Sequence, residues 1–196
     1  MRPAPAAATF SATLVAAALL IAPAAAFAGG KTVGGARFPG ATSPGAKSLR
    51  LVGAGLRTKW MVKVYGMGVY QATPKRSARH LIRANEEKFI WIKMLRTIAG
   101  GKMRSAIDDG LEENVSGAVR ARIKGNISKL KRSFPSSIPK GANIGFWYRP
   151  GRGTVVRFGQ VNKVTMAGKE TMSALWSIWF GKEPADGDLK DEVLGK

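Results

Sequence analysis

Apolar positions change their period along this chain, and those changes divide it into elements. From Leu51 to Tyr70 (LVGAGLRTKWMVKVYGMGVY) β-branched and aromatic residues come in two runs, which predicts two strands. Gly53, Gly55, Gly66 and Gly68 interrupt them. Glycines inside strands mark bulges, bends, or the close approach of a ligand or another backbone. Lys75 to Ala84 reads as a short helix. In Lys88 to Leu95, Phe89, Trp91 and Lys93 alternate with Ile90, Ile92 and Met94. Both faces are largely apolar, which predicts a central strand.

After Gly100-Gly101 the period becomes helical. Met103, Ala106, Ile107, Gly110, Leu111 and Asn114 share one face, and Asp108, Asp109, Glu112 and Glu113 the other. Val115, Val119, Ile123, Ile127, Leu130 and Phe134 continue the stripe, with Gly117 and Gly125 expected to break or bend it. Asn143 to Gln160 reads as a hairpin through Pro150-Gly151-Arg152-Gly153, Val161 to Met166 as a further strand, and Lys169 to Phe180 as a helix with the stripe Met172, Leu175, Trp176, Trp179. A short amphipathic piece closes the chain. Gly29 to Ala46 reads as an extended leader or an edge strand. Strands, helices, strands, helix is the order of an α+β layer fold, an antiparallel sheet covered by helices.

The first residues follow a different logic. Arg2, the apolar run Thr13 to Ile21 and the small-x-small site Ala26-Phe27-Ala28 form a signal-peptide pattern. The run is too short to span a bilayer. The expected organisation is a signal peptide at 1–28 and one domain at 29–196, with a retained amphipathic or membrane-anchoring segment as the alternative. A domain of that size buries roughly 70% of its unfolded surface and needs no staples. The 196 residues include no cysteine, which excludes disulfides, thiolate metal sites and a cysteine nucleophile. Export without cysteine fits a bacterial periplasmic protein.

The net charge of +20 points to an anionic partner or to solubility alone. Export argues against nucleic acid. An anionic membrane surface remains, with the basic run Arg120 to Arg132 as the candidate contact.

Little catalytic chemistry is present. His80 is the single histidine and lies beside Arg79 in a basic run, where it reads as a surface helix residue. No metal-ligand spacing exists without cysteine or a second histidine. The carboxylates Asp108, Asp109, Glu112 and Glu113 form one solvated stripe rather than an opposed acid–base pair. Trp91, Trp176 and Trp179 read as core, while Trp60 and Trp147 sit near turns. Arg57 is the open case. It either snorkels to solvent or holds an anion inside the fold.

Several stretches together resemble the chalcone isomerase-like family: GAGLR followed by KVYGMGVY, KMRSAIDDGLEENV, IGFWYRP, and SALWSIWFGKEPADGDLKDEVLG. They cover most of residues 50 to 195, and the exported, cysteine-free form resembles the bacterial branch. The resemblance implies an open-faced sandwich, an antiparallel sheet covered on one face by helices with a ligand cleft between. It places Arg57 at the family's strand arginine and Asn114 at its helix asparagine. Tyr65 stands at the plant enzymes' threonine, Ile107 at their helix tyrosine, and Ile178 and Trp179 at their final Thr-Met pair. The loop between Arg57 and Tyr65 is shorter than in the plant enzymes. Cyclisation of a chalcone needs hydroxyl donors near the developing enolate, which Ile107 cannot supply.

Another branch of the family resembles fatty-acid binders that hold a carboxylate with an arginine and a tyrosine. The expected function is therefore non-catalytic binding of a fatty acid or similar amphipathic carboxylate, with Arg57, Tyr65, Ile107, Asn114, Ile178 and Trp179 lining the site. The alternatives are a weak or altered isomerase, and an interaction protein for an anionic partner or membrane surface. No cofactor, metal or nucleic acid is expected, and the protein is expected to be a monomer.

Overall fold

The structure is a computed structural model that describes residues 29–196; the segment read as a signal peptide lies outside the described residues. In chain order the first strands are β1 (Lys31–Val33), β2 (Ala36–Phe38), β3 (Ala41–Thr42), β4 (Leu49–Lys59) and β5 (Val62–Gln71). Helix α1 (Ala78–Arg83), β6 (Lys88–Met94) and β7 (Ile98–Ala99) follow. Then come α2 (Gly100–Asn114), α3 (Gly117–Ser133), β8 (Ser137–Ile138), β9 (Asn143–Arg149), β10 (Gly153–Phe158), β11 (Val161–Met166), α4 (Lys169–Phe180) and α5 (Gly187–Leu194).

Seven strands form one antiparallel sheet in the order β11-β10-β9-β6-β5-β4-β3, with β6 at its centre as its two apolar faces require. Ile90, Ile92 and Met94 of β6 join the cluster beneath the helices. Phe89, with Trp91 packed against it, joins a second cluster on the opposite face. The fold is thus the α+β sandwich that the pattern predicts.

Helix α4 is the inner member of the helical layer. Met172, Leu175, Trp176 and Trp179 are buried, but so are Thr171, Ala174, Ser177, Ile178 and Phe180. A helix enclosed nearly all round needs neighbours on several sides, and α1, α2, α3 and α5 supply them. The break in the long helical run falls at Val115-Ser116, immediately before Gly117, while Gly125 lies inside a continuous α3. Trp147, which the sequence places near a turn, sits inside β9, is buried in the outer cluster, and carries the Arg149 guanidinium 4.2 Å from its ring centroid.

The segment 29–46 is more than a leader. β1 and β2 make a hairpin whose Phe38 ring lies over the outer face, and β3 is an edge strand on β4. Gly68 makes room for this ring, since a Cβ there would lie 2.5 Å from Phe38 Cδ1.

Lys88 is a buried charge-bearing group at the far end of the sheet. Its Nζ donates to the Leu81 carbonyl (2.6 Å) and the Ala84 carbonyl (2.9 Å) at the end of α1, and lies over the rings of Trp176 and Tyr148. Burial pushes the amine down to about 7; Glu86 opposes the shift and Lys169 adds to it. Nearby, His80 Nε2 lies 2.7 Å from the Glu86 carboxylate, so the histidine is half-buried and partnered rather than free on the surface. The folded protein disfavours charged Lys88, so between about pH 7 and the unfolded value of 10.5 the unfolded chain holds more protons. Stability should therefore rise by about 2 kcal/mol from pH 7 to pH 9 through this group. Urea unfolding at the two pH values checks this, and Lys88→Met should flatten the rise.

Candidate functional site

The inward positions of β4 alternate Gly53, Gly55, Arg57. The first two leave space for α5, whose backbone lies directly against the strand: a Cβ on Gly55 would sit 2.5 Å from the Leu189 carbonyl oxygen. The third projects its guanidinium on the same side. Arg57 pairs across the strands with Tyr65, and its Cζ lies 5.5 Å from the Tyr65 ring centroid. A register shift follows between Arg57 and Thr58, and the pairing resumes at Thr58 with Lys63. Arg57 is half-buried, and among the described residues no carboxylate comes within ion-pair distance of it.

Tyr65 is buried beneath the helices. Its hydroxyl oxygen accepts a 2.9 Å hydrogen bond from Trp179 Nε1 on α4, and Trp179 stacks edge-on against Phe146 of β9 at 5.6 Å. A phenol both accepts and donates. The indole uses the acceptor, so the Tyr65 O–H remains able to donate. Arg57, Tyr65 and Trp179 thus form one connected group: a cation over an aromatic ring, and a phenol oriented by an indole.

The other expected positions lie on the helical layer. Ile107 is buried in the helical cluster on α2. Ile178 meets α2 at Gly110, where a Cβ would lie 2.7 Å from Ile178 Cγ2. Asn114 is occupied structurally. Its amide nitrogen donates to the carbonyls of Gly110 (3.0 Å) and Glu183 (2.5 Å), and its oxygen accepts from Glu183 N (3.0 Å). It clamps the turn after α4 rather than facing Tyr65.

Concave surfaces lie away from this group. One of about 180 Å³ on the outer face is lined by Pro44, Phe89, Trp91, Asn143 and Arg157. Another of about 420 Å³ lies between α2 and α3, over Leu111, Ile123 and Ile127 with Arg120, Lys124 and Lys131 at its rim. The basic run on α3 is also partly neutralised within the fold. Arg122 pairs with Glu170 through bonds of 2.6–3.2 Å, Lys131 with Asp108, and Arg120 approaches Glu112 at 4.0 Å. The Arg122 partner holds the Glu170 carboxyl below its usual range. Lys124, Lys129 and Arg132 remain exposed. Among the described residues no cluster of His, Cys, Asp and Glu could hold a metal, and no helix is long and apolar enough to cross a membrane.

Sequence reasoning gives Arg57 and Tyr65 but not the bond that orients the phenol. Trp179 contributes it from 114 positions away, and a hydrogen bond at that separation leaves no local pattern.

An antiparallel sheet with its helices on one face and an arginine–tyrosine pair beneath them defines the class of fold. The sequence model described as chalcone isomerase-like matches residues 30–195, and the chain belongs to that family. No curated protein matches the sequence. Among solved structures, the fatty-acid binding protein AtFAP1 of Arabidopsis thaliana is similar in fold, with a TM-score of 0.65 and 18% identity over 85% of this chain and 96% of that one.

Proposed function

We propose that this protein binds a fatty acid or similar amphipathic carboxylate without transforming it, with Arg57 as the anion anchor. The observation that carries the reading is a half-buried guanidinium with no acid partner among the described residues, held over a tyrosine whose hydroxyl can still donate. A guanidinium forks onto a carboxylate, and the phenol adds a second donor. The acyl chain would run inward among Ile107, Ile178 and Trp179, at about 0.8 kcal/mol per buried methylene before the cost of ordering. These side chains are buried, and Ile178 packs directly on Gly110, so binding would part the α2–α4 seam there. The fatty-acid binding of the structurally similar plant protein supports this ligand class. An isomerase is disfavoured because Ile107 places a hydrocarbon where the reaction needs a hydroxyl.

Export through residues 1–28, a periplasmic location, descent from the bacterial branch and a monomeric state belong to the same proposal. The first three rest on the leader pattern and on the lack of cysteine.

Native mass spectrometry of residues 29–196, which contain every element of the sheet and both of its clusters, tests the reading. After incubation with palmitate, a one-to-one adduct is expected. Absence of any adduct overturns the proposal. An adduct lost in Arg120→Glu but kept in Arg57→Ala moves the site to the groove between α2 and α3.

A further inference from the structure

The hairpin that carries Arg57 ends in residues the fold does not use. Lys59 pairs with Val62, so the turn between β4 and β5 consists of Trp60 and Met61 alone. Both have positive φ, 53° and 61°, the signature of a type I′ turn. Such turns favour Asn-Gly, because an L-residue's Cβ crowds the following carbonyl in the left-handed region. A tryptophan and a methionine therefore stand where the local backbone disfavours them.

Packing does not compensate. Trp60 is 88% exposed, Met61 100% and Val62 43%. Of the five tryptophans, Trp60 alone is exposed. Lys59 and Lys63 flank the three residues and are also exposed. The last backbone bond from the sheet body to this hairpin runs from Leu95 N to Val64 O at 2.9 Å. At about 3.3 Å per residue, the turn projects about 10 Å beyond that bond. The nearest acid contact lies behind it, where the Asp186 carboxylate accepts from Thr58 N at 3.1 Å.

We propose that Trp60, Met61 and Val62, flanked by Lys59 and Lys63, form a membrane-docking tip that enters the interfacial layer of an anionic lipid bilayer. Size and charge select this occupant. A stable protein interface engages about 20–30 residues a side, whereas a projecting turn offers three apolar side chains on a convex point. An interfacial site needs less: an indole settles at headgroup depth, and lysines beside it meet anionic headgroups. The +20 charge of the whole chain adds long-range attraction to such a surface. This inference stands independently of the carboxylate site, and either can fail without the other.

The test is flotation of residues 29–196 with vesicles of phosphatidylcholine alone or mixed equally with phosphatidylglycerol, at low salt. Wild type should float with the anionic vesicles, with a blue shift in tryptophan emission as Trp60 leaves water. The double variant Trp60→Asn, Met61→Gly supplies the residues that the turn prefers, so it should fold at least as well as wild type. It should nevertheless bind at least about tenfold more weakly. Lys59→Gln with Lys63→Gln should reduce the preference for anionic vesicles, and Lys124→Glu with Lys129→Glu on α3, which lowers only the long-range attraction, should weaken binding less than the turn variant does. Undiminished binding of the double turn variant overturns the proposal, as does failure of wild type to float. Concentration-dependent dimerisation abolished by the turn variant, without vesicle binding, would assign the tip to a second copy and also overturn it.

Discussion

Gly53→Val should lower the unfolding free energy by about 3–5 kcal/mol and loosen α5 from the sheet. A Cβ at Gly53 would overlap the carbonyl oxygen of Val193, and one at Gly55 would crowd that of Leu189. Both obstacles are backbone and cannot rotate aside, so the helix itself must move. Overpacking of this kind costs about 1–3 kcal/mol. Displacing α5 also removes the carboxylates that satisfy two N–H groups on the part of β4 that β3 leaves uncovered, Glu192 on Leu56 N (3.0 Å) and Asp186 on Thr58 N (3.1 Å). Each lost bond adds about 1 kcal/mol. Urea unfolding measures the total, and faster hydrogen exchange at Leu56 and Thr58 would locate it. Gly125→Ala is the control. It lies on an exposed face of α3 with nothing within 4 Å of its new Cβ, and should stabilise by about 0.5–1 kcal/mol. Wild-type stability in Gly53→Val would contradict the close approach of α5.

The same glycines show where sequence reading stops. Their presence in a strand says that something approaches closely, but one motif hides two different neighbours. Gly53 and Gly55 admit the backbone of α5, while Gly66 and Gly68 admit side chains of the β1–β2 hairpin. Both neighbours come from distant parts of the chain and leave no trace in the local period. By contrast β6, with two apolar faces, could only be central, and the stripes of α2 and α3 fixed their buried sides. The outer cluster under Phe38 was the least legible layer. Its two covering strands are three residues each, too short to show alternation.

Arg57→Ala should weaken binding of a long-chain carboxylate by about ten- to a hundredfold. Hydrogen bonds to charged groups contribute about 1.5–3 kcal/mol, and every 1.4 kcal/mol is tenfold in affinity. Arg57→Lys keeps the charge but loses the fork, so it should fall between wild type and alanine. Tyr65→Phe keeps the ring under the guanidinium and removes the hydroxyl. Its effect on affinity should be smaller than that of Arg57→Ala. It should also cost about 1–3 kcal/mol of stability, because the buried Trp179 Nε1 loses its acceptor.

The candidate site was legible to the extent that its residues are strand neighbours. Arg57 and Tyr65 lie on opposite arms of one hairpin, and the two-residue turn at Trp60-Met61 with the shift after Arg57 brings them into register. The spacing alone left that pairing open, since one residue of slip would turn the side chains to opposite faces. Asn114 shows the limit of transfer by position. It stands on the expected face of α2, yet the turn after α4 takes up both ends of its amide.

An anchoring role makes carboxylate binding depend on the Arg57 guanidinium. The direct measurement is displacement of a fluorescent dansyl-labelled fatty acid by palmitate, comparing wild type with Arg57→Ala at matched folding by circular dichroism. Saturable binding to wild type and a loss of at least about tenfold in the variant are expected. Equal affinity in the two proteins would contradict it.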